Sequence, residues 1–179
     1  ENKGSDEFQN IVFNVNTNLL SAKRFLINNK LELRIPIDYH KINDDTFLTV
    51  KKTIESDSTA FFKMSLLSVF NSPNGSYLLI SKIISDKNVF EEVDSNYYEL
   101  LVENIKTRNI DIGNVKINGI NVIQYLITTN DTVIIKLILN VKDSYYQIDY
   151  IIPLEIYEKE LKFIESSIGS IIEIKEAHK

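Results

Sequence analysis

The stretch 115-VKINGINVIQYLITTNDTVIIKLILNVKDSYYQIDYIIP-153 decides the fold. Apolar and β-branched residues alternate through it in four runs, Val115 to Ile117, Ile120 to Thr128, Thr132 to Val141 and Tyr145 to Ile152. Asn118-Gly119, Asn130-Asp131 and a pair near Asp143-Ser144 separate the runs, and such pairs tolerate the positive φ that tight hairpins demand. The reading is an antiparallel four-strand meander. If each turn is a two-residue loop, cross-strand partners keep a fixed parity and lie on one face. That rule collects Val115, Ile117, even positions 120 to 126, odd positions 133 to 141 and even positions 146 to 152. Gln124 is the one strongly polar member, so this face is expected to be the core.

The opposite face is mixed. It carries Ile123, Ile127, Ile134, Ile138 and Ile151 beside Lys116, Asn121, Asn140 and a polar and aromatic set, Tyr125, Lys136, Tyr145, Gln147 and Asp149. Two readings stand at this point. Either a helix or the N-terminal segment covers part of the face and water the rest, or those five residues line a groove for a ligand or partner.

The chain closes on Pro153 and a helical pattern, with Leu154, Tyr157, Leu161, Ile164 and Ile168 recurring every three or four residues. Proline suits a helix start, where no amide donor is needed. Gly169 then reads as a left-handed stop, with Ser166, Ser167 and Ser170 as its ordinary neighbours. Upstream, Ser72-Pro73-Asn74-Gly75 joins the apolar runs Phe61–Phe70 and Tyr77–Ile84 in a hairpin. Leu31, Leu33 and Ile35 alternate in a strand ended by Pro36. Asn96 with Glu99 suggests a capped helix with Tyr98, Leu101, Val102 and Ile105 on one side. Phe47, Val50 and Ile54 favour a helix over 44–54. Ile11, Phe13 and Val15 suggest a first strand, and Asn18 a cap for a helix over Leu19 to Leu26.

At 179 residues and 44% hydrophobic, the chain can bury a core without disulfides or metal. One domain over 11–176 is expected, behind a flexible tether over 1–10. The formal charge of −5, with lysines and arginines scattered among acids, argues against nucleic acid as a partner. No apolar run approaches the ~18 residues of a membrane-spanning helix. The chain opens on Glu1 rather than Met, and its polar start suits a position just after a cleaved secretory or lipoprotein signal, or a trimmed boundary.

Little in the sequence suggests catalysis. Without cysteine there is no thiolate nucleophile or thiolate metal site. The two histidines, His40 and His178, are far apart, so no paired metal ligand is expected, and no Gly-x-Ser-x-Gly elbow accompanies them. Five glycines form no phosphate-binding loop. Carboxylates such as Asp44, Asp45, Asp57, Glu91 and Glu92 sit in polar segments that suit caps and loops. No catalytic, cofactor or metal residue is assigned.

Taken together, "LELRIPIDY", the hairpin, the helix, "VKINGINVIQYLIT", two long strands and the close "YYQIDYIIPLEIYEKELKFIESSIGSI" resemble the PsbP-like superfamily over about residues 31–172. That superfamily takes in the photosystem II extrinsic protein, a nuclear Ran-GTPase-binding protein, DcrB-type bacterial proteins and exported bacterial lipoproteins. The resemblance implies an α+β fold, an antiparallel sheet flanked by helices, and a protein that binds proteins or acts as an accessory factor. The lack of tryptophan and of a histidine pair separates this chain from the photosynthetic members. The resulting expectation is a non-enzymatic, exported, optionally lipid-anchored bacterial protein with a protein partner. The alternatives are a cytosolic DcrB-like adaptor or chaperone, and a small-ligand carrier using the mixed face.

Overall fold

Long alternating runs need partners for both faces and for both rows of backbone groups. The computed structural model, which describes residues 8–57, 61–85, 88–93, 97–104 and 109–175, supplies them with two sheets and four helices. In chain order the elements are β1 (Gln9–Ile11), β2 (Leu20–Ile27), β3 (Leu31–Pro36), β4 (His40–Lys41), α1 (Asp44–Glu55), β5 (Lys63–Asn71), β6 (Tyr77–Ile84), α2 (Val89–Glu92) and α3 (Tyr98–Asn104). Beyond them lie β7 (Asn109–Ile117), β8 (Ile120–Thr128), β9 (Thr132–Val141), β10 (Ser144–Pro153), α4 (Tyr157–Gly169) and β11 (Ile172–Glu173).

The large sheet runs β1-β7-β8-β9-β10-β6-β5-β4, and a small one runs β11-β3-β2. Every pairing is antiparallel except β1 with β7. The fold is thus α+β, with a mixed large sheet where an antiparallel one was expected. The meander has the parity read from its turns: Ile117 faces Ile120, Val122 faces Leu139, and Leu137 faces Ile148. Its third turn sits one residue earlier than expected, on Lys142 and Asp143, both at positive φ. Parity is unchanged by that shift, so every side chain stays on its assigned face.

The apolar face packs against the small sheet and α4. Val122, Leu137, Ile148 and Tyr150 meet Leu31, Leu33 and Ile35 from β3 and Ile164 and Ile168 from α4. A second core lies on the mixed face, where Ile123, Tyr125, Ile127 and Ile138 meet Phe62, Val89, Val93, Tyr97 and Leu101. Burial on both faces makes β9 and β10 the centre of the molecule.

Several expectations need correction. Leu19–Leu26 does not form a helix: a short 3-10 turn over Thr17–Leu19, capped by Asn16 and not by Asn18, leads into β2. Asn28 and Asn29 take positive φ and fold β2 back onto β3, whose backbone groups need that partner more than the chain needs a helix. Phe13 and Val15 are not in a strand; the first strand is Gln9–Ile11, so Gln9 and Asn10 belong to the sheet and not to a tether. β3 belongs to the second sheet. The β5-β6 loop spans Ser72–Ser76, and Gly75, not Asn74, carries the positive φ.

In the helix around residue 98, Leu101 is buried as expected, but Tyr98 is exposed and Tyr97 is buried in its place. The expected cap Asn96, the stripe member Ile105 and the side chain of the stripe member Val102 lie outside the described residues. The helix over 44–54 forms as read, capped by Asn43. In the C-terminal segment Leu154 falls in a 3-10 turn outside the helix; Ile164 and Ile168 are buried as read, Tyr157 and Leu161 half so, and Glu160 and Ser167 are buried with them.

Gly169 is helical and not left-handed, with Ser170 as the C-cap. Its lack of a side chain is explained by close approach, because a Cβ there would stand 2.4 Å from Phe13 Cβ and 2.7 Å from Val15 Cγ2. The serines are not passive neighbours of a stop. Ser167 Oγ donates to the Arg34 carbonyl at 2.7 Å and accepts from the Tyr150 hydroxyl at 2.8 Å. Ser170 Oγ accepts from Arg34 N at 2.8 Å, and Ser166 Oγ from Asn16 N at 3.2 Å. Together they fasten α4 to the backbone of β3 and of the N-terminal segment.

Candidate functional site

Strand register brings most of the five mixed-face residues together. Lys136 on β9 lies directly between Tyr125 on β8 and Asp149 on β10. Gln147 is two residues before Asp149 and therefore on the same face. Lys136 Nζ donates to Asp149 Oδ1 at 2.7 Å, and Gln147 Nε2 donates to Asp149 Oδ2 at 2.6 Å. Both carboxylate oxygens are occupied from within the sheet. Gln147 and Asp149 are buried, and the Lys136 side chain keeps 13% of its surface exposed.

Burial works against the charge on Lys136, but the Asp149 carboxylate more than offsets it, with a smaller contribution from Tyr97. The lysine pKa therefore lies above its ordinary value. This is the sign expected of a buried pair whose attraction outweighs desolvation.

Tyr145 stands apart from that cluster. Its hydroxyl donates to Asn88 Oδ1 at 3.0 Å, and its ring lies 5.8 Å from that of Phe90. Asn88 Oδ1 in turn accepts from Phe90 N, capping α2, so Tyr145 ties that helix start to the sheet.

The residue that the sequence reading missed is Tyr97. Its ring meets Tyr125 edge-on at 5.3 Å and lies 5.2 Å from Phe61 and 5.8 Å from Phe62. Burial pushes the Tyr97 phenol up, partly offset by the charge of Lys136. The missed signal was the four-residue spacing Val93, Tyr97, Leu101, which competes with the spacing that starts at Tyr98. The mixed face is thus partly covered, as one reading had it, with Tyr97 beside the Lys136–Asp149 pair.

The other nominated groups stay dispersed. His40 is exposed in β4 opposite Asn71, and Asp44 and Asp45 occupy the first turn of α1. His178 and the side chain of Glu91 lie outside the described residues. Among the described residues no group of three histidine, aspartate or glutamate side chains is placed to hold a metal ion, and no helix is long and apolar enough to cross a membrane.

No protein-family model matches the chain, and no curated protein sequence matches it. Among solved structures it is similar to cyanobacterial PsbP from Synechocystis sp. PCC 6803, with a TM-score of 0.51 and 11% sequence identity over 84% of this chain and 91% of that one. At that identity the likeness concerns architecture. The chain has a PsbP-like fold.

Proposed function

We propose that the chain is a non-catalytic accessory protein, exported and optionally lipid-anchored, that works by binding a protein partner. The observation that carries this reading is the internal closure of the polar cluster on the mixed face. Lys136 and Gln147 both direct their donors to Asp149, with Tyr97 beside the pair, an arrangement that holds side chains in place and leaves no group poised to react. Tyr125, Lys136, Tyr145, Gln147 and Asp149 then serve as anchors for the α2–α3 layer, and the exposed Tyr98 on its outer side is the first candidate for partner contact. The PsbP-like fold of the structural neighbour is compatible with such a role.

Crosslinking in native membranes followed by affinity capture tests the partner: one enriched protein is expected, lost in Tyr98→Asp, and a monomer with no specific crosslink overturns the reading. The coding sequence upstream of Glu1 tests export. An apolar signal segment is expected there, and an initiator Met directly before Glu1 points instead to the cytosolic adaptor.

A second reading, the small-ligand carrier, draws on the position of the Lys136–Asp149 pair at the floor of an apolar core. Lifting α2 and α3 would present opposite charges to a small zwitterion. Mass spectrometry of natively purified protein decides it, since a carrier retains a stoichiometric small molecule and an accessory protein does not.

A further inference from the structure

On the other face of the sheet, the first core encloses a carboxylate. Glu160 lies on the packed side of α4 and is only 6% exposed, at a position where an amphipathic helix would ordinarily place an apolar side chain. The Tyr39 hydroxyl donates to its Oε2 at 2.8 Å, and Asn74 Nδ2 donates to Oε1 at 3.3 Å. Ser72 Oγ points at Oε1 from 3.4 Å. That hydroxyl already accepts from Asn74 N and Ser76 N, which leaves its proton for the carboxylate. All three neighbours are donors, as an ionised carboxylate requires.

What this carboxylate lacks is a counter-charge. The ion pairs among the described residues are Arg24 with Glu32, Lys51 with Glu55 and Lys136 with Asp149, none of them at Glu160. The place of Glu160 in the first turn of α4 favours a carboxylate, but a buried charge whose side-chain partners are all neutral donors, two of them long, still lacks a full counter-charge. Lys159 lines the same cavity as Glu160 but makes no ion pair with it.

Beside Glu160 is a cavity of about 120 Å³, walled by Pro36 and Phe163, with the exposed side chains of Asp38 and Lys159 at its mouth. That is room for roughly four waters at about 30 Å³ each, or for a charged head on a short chain. A bare metal ion fits poorly, because the Tyr39, Ser72 and Asn74 groups that surround the carboxylate present hydrogens and not lone pairs. An ammonium fits better: its N–H groups can use the remaining lone pairs of Glu160, its methylenes can lie on Pro36, and its charge can face the Phe163 ring.

We propose that this cavity binds a primary ammonium carried on a short alkyl chain, the chemistry shared by a free alkylamine and a polypeptide lysine. The site is separate from the mixed face and does not depend on the partner-binding reading, which can fail while amine binding stands.

The test is a titration of the isotope-labelled full chain, followed by amide chemical shifts, with n-butylammonium and with its neutral isostere n-butanol. Saturable shifts confined to Ser72–Ser76 and Lys159–Phe163 are expected for the ammonium alone, with affinity reduced by about tenfold or more in Glu160→Gln. Equal binding of butanol, shifts located elsewhere, or unchanged affinity in a folded Glu160→Gln protein would each overturn the proposal. If that variant does not fold, the comparison of ammonium with alcohol on the unaltered chain still decides, because charge is the main difference between the probes. Nα-acetyl-lysine amide, run in parallel, separates the sources. Tighter binding than butylammonium supports a polypeptide lysine, and weaker binding supports a free amine, both within the proposal.

Discussion

Gly169 and the Lys136–Asp149 pair show how single positions govern this molecule. Adding one methyl in Gly169→Ala forces Phe13 and Val15 away from α4, since the new Cβ would lie 2.4 Å from Phe13 Cβ. Overpacking of this kind costs about 1–3 kcal/mol, to be read as a lowered midpoint in urea at unchanged slope. A loss below a few tenths of a kcal/mol would mean that the N-terminal segment does not press on the helix there. For the ion pair, Lys136→Met leaves Asp149 buried with Gln147 alone and should cost about 3–5 kcal/mol. Replacing both partners by apolar residues of similar volume, Lys136→Met with Asp149→Leu, should recover most of that loss, because the pair's own desolvation then disappears. If the single and double variants are equally unstable, the cluster's value lies in Gln147 and not in the ion pair.

At the scale of elements, α1 is held chiefly by its C-terminal end, because none of its residues is fully buried. Glu55 accepts from Lys51 Nζ at 2.6 Å, Ser65 Oγ at 3.1 Å and Leu66 N at 3.0 Å, while Lys51 Nζ also reaches the Leu66 carbonyl. These bonds reach β5 beside its register shift between Leu66 and Ser68, where the ladder leaves backbone groups to be satisfied. The Lys51 hydrogen bond, with those from Ser65 and Leu66, holds the Glu55 carboxyl below the usual glutamate value. A depressed folded pKa gives stability that is present above the unfolded value and is lost as pH falls through the folded one. Amides of α1 should therefore lose hydrogen-exchange protection in mild acid before those of β9 and β10, and Glu55→Gln should abolish that difference in pH dependence. The helix was readable from Phe47, Val50 and Ile54, but its anchor was not, since no local pattern announces which backbone groups a bulge will leave free. The same divide runs through the chain. Hairpin parity placed all five mixed-face residues correctly because a two-residue turn fixes register locally. β2 was misread as a helix because its strand state is imposed by β3. Tyr97 and Glu160 were missed because their burial depends on elements distant in sequence.

For the whole molecule, the large sheet separates two cores, and groups that resist deprotonation lie in both. Tyr39 and Tyr150 belong to the core against α4 and the small sheet, and Tyr97 and Lys136 lie on the opposite face. Burial raises the Tyr39, Tyr97 and Tyr150 phenols; the Glu160 carboxylate raises Tyr39 further, while a hydrogen bond with Ser167 eases the effect on Tyr150. Lys136 is raised by Asp149 against its own desolvation. A group whose folded pKa exceeds its unfolded value gives stability that is complete below the unfolded value and is lost as pH rises toward the folded one. All four groups share that sign, so stability should begin to fall near pH ~10, where an unfolded tyrosine or lysine loses its proton, and fall on both faces together. A rapid pH jump read by phenolate absorbance and circular dichroism checks this. The phenols of Tyr39, Tyr97 and Tyr150 should ionise only with the loss of the sheet signal. Deprotonation of Tyr97 and Lys136 in a first step, with Tyr39 and Tyr150 still neutral and β10 still protected from exchange, would instead show that the α2–α3 layer opens by itself. The cooperative outcome is the expected one, because β9 and β10 pack side chains into both cores and neither face can come apart without exposing the strands that hold the other.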